Sequence, residues 1–269
     1  NYNQKYLVEF SARYDGSSRF ARGSRWGFFP SFSAGYNIAR ENFWEPIQHH
    51  VNNLKFRASY GSLGNQNVSN YLYLATIPVT LRSDYIINDA LPLYAQTPRI
   101  ISNDLTWVTI TTLDLGFDAE FFKNRLSLTF DWYDRVTSDM IGPSQQLPSV
   151  LGTSAPQSNN AKLSTKGIEL SLAWKDRLNK DLSYDVQIGL GDYKTIILEY
   201  LNETGNVNTW YKGKFHGDIW GLTTDGIIQT AGEEMPDQSY YYSKWGPGDI
   251  KYKDIGGPDG KPDGKKTPR

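Results

Sequence analysis

Apolar residues fall on every second position from Leu113 to Phe121 (Leu113, Leu115, Phe117, Ala119, Phe121), with Asp114, Gly116, Asp118 and Glu120 between them. A period of two is the mark of a strand with one polar and one apolar face. After Phe122-Lys123-Asn124 the alternation resumes, with Leu126, Leu128, Phe130 and Trp132 on one face and Arg125, Ser127, Thr129, Asp131 and Tyr133 on the other. The stretch Leu113 to Asp134 therefore predicts one long hairpin. Its strands run to about 9 to 11 residues, where soluble strands usually have about 5 to 6, and a tilted strand of that length crosses the hydrocarbon core of a bilayer.

Five more segments alternate in the same way: Lys5–Tyr14, Gly27–Ile38, Leu54–Tyr60, Gly167–Trp174 and Leu182–Leu190. Beyond Gly191 the alternation stops. Antiparallel pairing then puts the connections 15–26, 61–110 and 135–166 on one side and the shorter 39–53, 122–124 and 175–180 on the other. Long connections outside and short ones inside are what a membrane barrel shows. The connection 39–53 is expected to hold a short helical turn, and 61–106 small elements of its own. The registry puts Tyr14, Phe28, Tyr60 and Trp132 on the apolar face near the long-loop rim, and Tyr6, Tyr36, Phe121, Trp174 and Tyr184 near the other rim, which forms two aromatic girdles. Period two alone does not say what covers the apolar face, so a soluble β-sandwich with an aromatic core stays open.

Composition changes this picture in a few places. Mean hydropathy is −0.54 and no apolar run approaches 18 residues, which excludes a spanning helix and leaves a barrel untouched, because its strands bury alternate residues only. Lysine plus arginine (28) balances aspartate plus glutamate (29), so there is no basic footprint for nucleic acid. Aromatic residues make up 14%, which suits interfacial girdles. There is no cysteine, in keeping with an oxidising compartment. The sequence starts at Asn1 without a signal peptide or initiator methionine, so its start is expected to be processed or cut.

Chemistry is sparse. Asp114, Asp118 and Glu120 share a strand face and invite comparison with the paired carboxylates of glycosidases; on a barrel strand they would line a polar lumen instead. His49 and His50 are expected to point apart on extended backbone, and His216 is remote, which argues against a zinc site. Asp254, Asp259 and Asp263 resemble a calcium loop only weakly, since Pro258 and Pro262 break the order, so no metal is expected. The final segment crowds aromatics (Trp210, Trp220, Tyr240, Tyr241, Tyr242, Trp245), which can stack on a sugar or peptide or pack against neighbouring loops.

The run Tyr14-Asp15-Gly16-Ser17-Ser18-Arg19-Phe20, followed by Arg25-Trp26-Gly27-Phe28-Phe29-Pro30-Ser31-Phe32-Ser33-Ala34-Gly35, resembles a hallmark of SusC/RagA-type TonB-dependent outer-membrane transporters. Further similar signposts follow in order: Leu54 to Gly61 with Gly64-Asn65-Gln66, Phe122 to Leu126, Lys166 to Leu170, and Trp220-Gly221 with Thr224 to Ile227. Val108 after Trp107, where the family often has glutamate, and the run from Asp254 to Gly260 are departures.

The resemblance implies an all-β, antiparallel transmembrane β-barrel segment of about seven long strands in a larger plugged barrel, with residues 1–191 as wall and 192–269 as an extracellular loop region incomplete at its carboxyl end. It implies an internal piece, roughly a third of a wall of about 22 strands. It also implies the outer membrane of a Gram-negative bacterium, import of oligosaccharide or peptide-sized nutrients, a SusD-like surface lipoprotein partner, contact with TonB through a segment absent here, no catalysis and no cofactor. Trp210, Trp220, Asp225, Tyr241 and Trp245 are the substrate-contact candidates. A secreted carbohydrate-binding module or adhesin is the alternative.

Overall fold

The structure is a computed structural model that describes residues 1–81, 84, 86–98, 100–102, 104–142, 148, 150, 155–203, 205–219, 221–239 and 241–256. It divides into two compact units, 1–216 and 217–269. In the first, a seven-stranded antiparallel sheet is formed by β1 (Tyr6–Gly16), β2 (Trp26–Asn37), β3 (Val51–Asn65), β6 (Val108–Phe121), β7 (Leu126–Ile141), β8 (Asn159–Arg177) and β9 (Ser183–Tyr200), paired in that order. Two short strands, β4 (Val79–Leu81) and β5 (Leu93–Ala95), make a separate hairpin inside the connection from β3 to β6. Among the described residues the sheet does not close on itself: β1 and β9 each pair with one strand only, apart from a bridge from Ile196 to Phe215.

The expected strands are all present, and several are longer than the sequence pattern suggests. β3 reaches Asn65 and β8 begins at Asn159, so the long connections are shorter than the alternation implies. β9 continues past Gly191 to Tyr200. There the alternation is interrupted because Leu163 faces Ile197 while Lys162 faces Glu199, which leaves Leu198 as a bulge and puts three apolar residues in succession. The connection after β2 holds two 3-10 turns, Ile38–Arg40 and Asn42–Ile47. The tight turn after β6 has Phe122, Lys123 and Asn124 all at positive φ. It is held by the Phe122 amide donating to the His50 carbonyl (3.1 Å) and the Asn124 amide donating to Asn52 Oδ1 (3.2 Å).

Pairing carries one apolar row across the whole sheet: Tyr6, Tyr36, Phe56, Phe117, Phe130, Leu170 and Leu190 lie opposite one another in turn. The next row but one reads Phe10, Phe32, Tyr60, Leu113, Asp134, Lys166 and Lys194, apolar on β1 and charged on β9. Strand tilt explains the change. The apolar window is centred on Phe10 in β1 and between Val186 and Ile188 in β9, a slip of about 7 residues over six pairings. With a rise of about 3.3 Å and a strand spacing of about 4.8 Å, that slip corresponds to a tilt of roughly 40°, the value found in membrane barrels. Phe10 is 70% exposed and Leu190 64%, so this face is apolar and uncovered.

A compact core sits on the other face at the long-loop end. Phe20 is fully buried and joins Phe29, Val68, Leu105 and Trp107. Trp107 meets Phe20 at 5.4 Å and Phe29 edge-on at 5.5 Å, and its indole N–H donates to the Arg25 carbonyl (3.1 Å). Arg19 donates to the Gln66 and Val68 carbonyls, each at 3.1 Å, and so ties the connection after β1 to the one after β3. Phe29 can lie flat because Gly64 faces it: a Cβ there would fall 2.0 Å from its ring. The hallmark run around Arg19 and Phe20 is thus a packing device.

Candidate inner-wall site

The face opposite the apolar one is polar along most of each strand. One of its rows reads Leu7, Gly35, Arg57, Gly116, Asp131, Glu169 and Gly191. Arg57 on β3 donates through Nε to Asp118 Oδ2 (2.9 Å) and through Nη2 to Asp118 Oδ1 (3.2 Å) on β6. It also crosses β6 to reach Asp131 on β7, donating to Oδ2 at 3.2 Å and standing 2.9 Å from Oδ1. Gly116 makes the crossing feasible, since a Cβ at that position would lie 2.0 Å from Asp131 Oδ1. Thr129 adds a hydrogen bond to Asp118 (3.2 Å). Beside this network Asn1, Glu9, Ser33, Gly35, Lys55 and Asp114 border a shallow trough of about 340 Å³. Small residues on its floor and charges of both signs on its rim present a polar, wettable wall.

The carboxylates singled out from sequence therefore have separate surroundings. Asp118 is engaged by Arg57, and Asp114 faces Tyr133 in the next strand. His49 and His50 do not point apart: their ring centroids are 3.8 Å apart, because the backbone turns after the second 3-10 segment instead of extending. Among the described residues no three His, Asp or Glu side chains gather as a metal site.

The aromatic candidates are split between the units. Trp210 belongs to the first, where it packs against the Ala161, Leu163 and Ile197 cluster and meets Tyr200 (6.0 Å) and His216 (5.8 Å) edge-on. Asp225 lies on β10 (Thr224–Ile227), which pairs with β11 (Ile250–Tyr252) in the second unit. Tyr241 and Trp245 are brought together around Tyr252, at 6.5 and 6.1 Å. The Trp245 indole donates to the carbonyl of the fully buried Gln238 (3.0 Å), whose side chain bridges the Ile250 carbonyl and the Tyr252 amide. Asp254 accepts from the Gly256 amide (3.0 Å). Trp220, Asp259 and Asp263 lie outside the described residues.

In the second unit Lys251 Nζ meets Glu233 Oε1 at 2.7 Å, and the Gln229 amide donates to Glu233 Oε2 at 2.8 Å. The hydrogen bond from Lys251, then that from Gln229, holds the Glu233 carboxyl below its usual 4.5, and the same pair raises Lys251 above 10.5. The depressed carboxyl stabilises the fold above pH 4.5 and loses that effect as pH falls through its folded value; the raised lysine loses its share as pH climbs past 10.5. Protection of the Gln229 amide against hydrogen exchange is expected to fall below pH 4.5 once intrinsic rates are corrected. Protection unchanged to pH 2 would contradict the pairing.

Comparison with known proteins decides the family. The family described as TonB dependent receptor-like, beta-barrel matches residues 1–263. The chain belongs to this family. TonB-dependent receptor P3 of Formosa agariphila is 35% identical over 183 residues, 68% of this chain and 18% of that protein. TonB-dependent receptor SusC of Bacteroides thetaiotaomicron is 30% identical over 195 residues, 69% of this chain and 18% of its own length. The chain thus spans about a fifth of the curated relatives it matches. Among solved structures, the RagAB peptide transporter is 27% identical with a TM-score of 0.68, covering 84% of this chain and 25% of that one. The RagAB peptide importer in its open-open state shares the fold with a TM-score of 0.71, at 24% identity over 88% of this chain and 26% of the other. The SusC/RagA-type resemblance and the antiparallel barrel class both stand.

What sequence reasoning missed is Arg57 as the centre of the inner wall, with Gly116 and Asp131. Arg57 is visible on the polar face of its strand, but its partners are 61 and 74 residues away.

Proposed function

We propose that this chain forms part of the wall of an outer-membrane transporter of a Gram-negative bacterium, one that imports oligosaccharide or peptide-sized nutrients with energy delivered by TonB. The observation that carries the reading is a single sheet with an uncovered apolar face and a polar, charge-balanced opposite face. The apolar side suits lipid and the polar side suits a water-filled passage. Residues beyond the wall, with Trp210, Trp220, Asp225, Tyr241 and Trp245, belong to the extracellular region and contact the solute or the lid. A SusD-like surface lipoprotein is that lid, in keeping with the likeness to SusC and to the RagAB peptide transporter.

The test uses cells that carry the complete transporter. Uptake of labelled peptides and of labelled oligosaccharides is measured with and without a functional TonB system. Uptake of one class is expected to need both the transporter and TonB. If deleting the transporter leaves both classes entering at unchanged rates, the reading fails.

A further inference from the structure

The tilt of the strands places the charged end of the Phe10 row on β7 to β9 above the apolar window on the long-loop side. On the outward face Trp132 is followed by Asp134, Ile168 by Lys166, and Leu190 by Asp192 and then Lys194, with Val136, Ser164 and Ile196 one outward step further on. Two residues further along a strand tilted by roughly 40° is a rise of about 5 Å, within a headgroup layer of about 5–8 Å, and four is about 10 Å, at the outer edge of that layer.

Lys166 and Lys194 lie directly opposite each other in the β8–β9 pairing. Like charges in that relation destabilise a sheet unless an anion offsets them. Asp134 answers for one of them: it stands 3.4 Å from Lys166 Nζ and accepts from Ser164 Oγ at 2.9 Å. Lys194 is exposed, and its side-chain ammonium has no hydrogen bond or ion pair with any described residue. Asp192 shares the outward face next to Lys194, so the patch is a lysine pair within mixed charges and not a general basic surface. Around the lysines runs an open depression of about 640 Å³, mainly apolar, whose walls include Trp132, Ile168, Ile196 and Phe215.

We infer that this outward depression holds a phosphorylated amphiphile of the outer leaflet, its phosphate between Lys166 and Lys194 and its apolar part along Ile168 and Trp132. A lipid fits better than a free anion because the ammonium groups stand at the lipid boundary, beside apolar side chains with no polar function there. A protein partner at the same spot would have to displace the headgroups that surround it. The inference rests on the outward face meeting lipid, and its test is independent of transport.

The complete transporter, purified in a non-ionic detergent, is titrated with a diphosphorylated glucosamine lipid and, separately, with the same lipid after removal of its phosphates. Native mass spectrometry counts bound lipid. The double variant Lys166→Gln/Lys194→Gln is expected to bind the phosphorylated lipid about tenfold or more weakly, since each cation at a charged surface contributes on the order of a fivefold gain. The control Lys175→Gln, near the opposite rim, is expected to bind as the parent does. Equal binding by parent and double variant overturns the site. So does full competition by millimolar inorganic phosphate, which would indicate a plain anion site, and so does equal binding of the dephosphorylated lipid. Uptake by the double variant is expected to stay at the parent's level, so loss of lipid binding and loss of transport are read separately.

Discussion

Truncating Phe20 to alanine is expected to lower the stability of the folded transporter by about 3–5 kcal/mol, the usual result when a fully buried aromatic is removed and its neighbours cannot close the gap. The neighbours here are fixed. Phe29 is seated over Gly64, and Trp107 is tied to the Arg25 carbonyl, so neither ring is free to move into the space. Denaturant unfolding of the complete protein in detergent measures the change. Phe20→Leu is expected to restore part of the loss. A penalty below about 1 kcal/mol, the level of an unremarkable substitution, would show that the connection after β1 does not pack as described.

The second large effect belongs to the outward face. Leu128 sits in a row with Leu54, Ala119, Leu172 and Ile188, all apolar. Arginine in its place is expected to cost about 2–4 kcal/mol near the bilayer midplane, where the guanidinium has neither water nor a counter-ion. Arginine at Ser127, one residue away on the polar face, is expected to cost much less. Unfolding of both variants from the same bilayer gives the comparison. Equal penalties would mean that the two faces do not differ in solvent.

How far the fold was legible follows from what each feature depends on. The strands around Leu113 to Asp134 declare themselves because their two faces differ in polarity, and that difference is local in sequence. The order of long and short connections follows from antiparallel pairing with no knowledge of partners. The end of β9 is hidden because the bulge at Leu198 shifts the phase of the pattern, so Ile196, Ile197 and Leu198 no longer read as a strand. Arg57 is hidden for another reason: its role exists only once β3, β6 and β7 are in register and Gly116 leaves room for it to reach Asp131. The Phe20 core is likewise a meeting of two connections over β2, and the hallmark run that contains it marks a family without saying what its residues touch. The aromatics near the end of the sequence look alike on paper, yet Trp210 packs in one unit while Tyr241 and Trp245 pack in the other.

The central claim is that one face of this sheet meets lipid and the other lines an aqueous passage. It is tested most directly by spin labels placed singly at Leu115, Phe117, Leu128 and Phe130, and for contrast at Asp114 and Thr129, in the complete transporter reconstituted into a bilayer. The first four are expected to relax with lipid-soluble oxygen and to be shielded from a water-soluble nickel quencher, with Asp114 and Thr129 behaving in the opposite way. Nickel access at the first four together with oxygen access at Asp114 and Thr129 would contradict it.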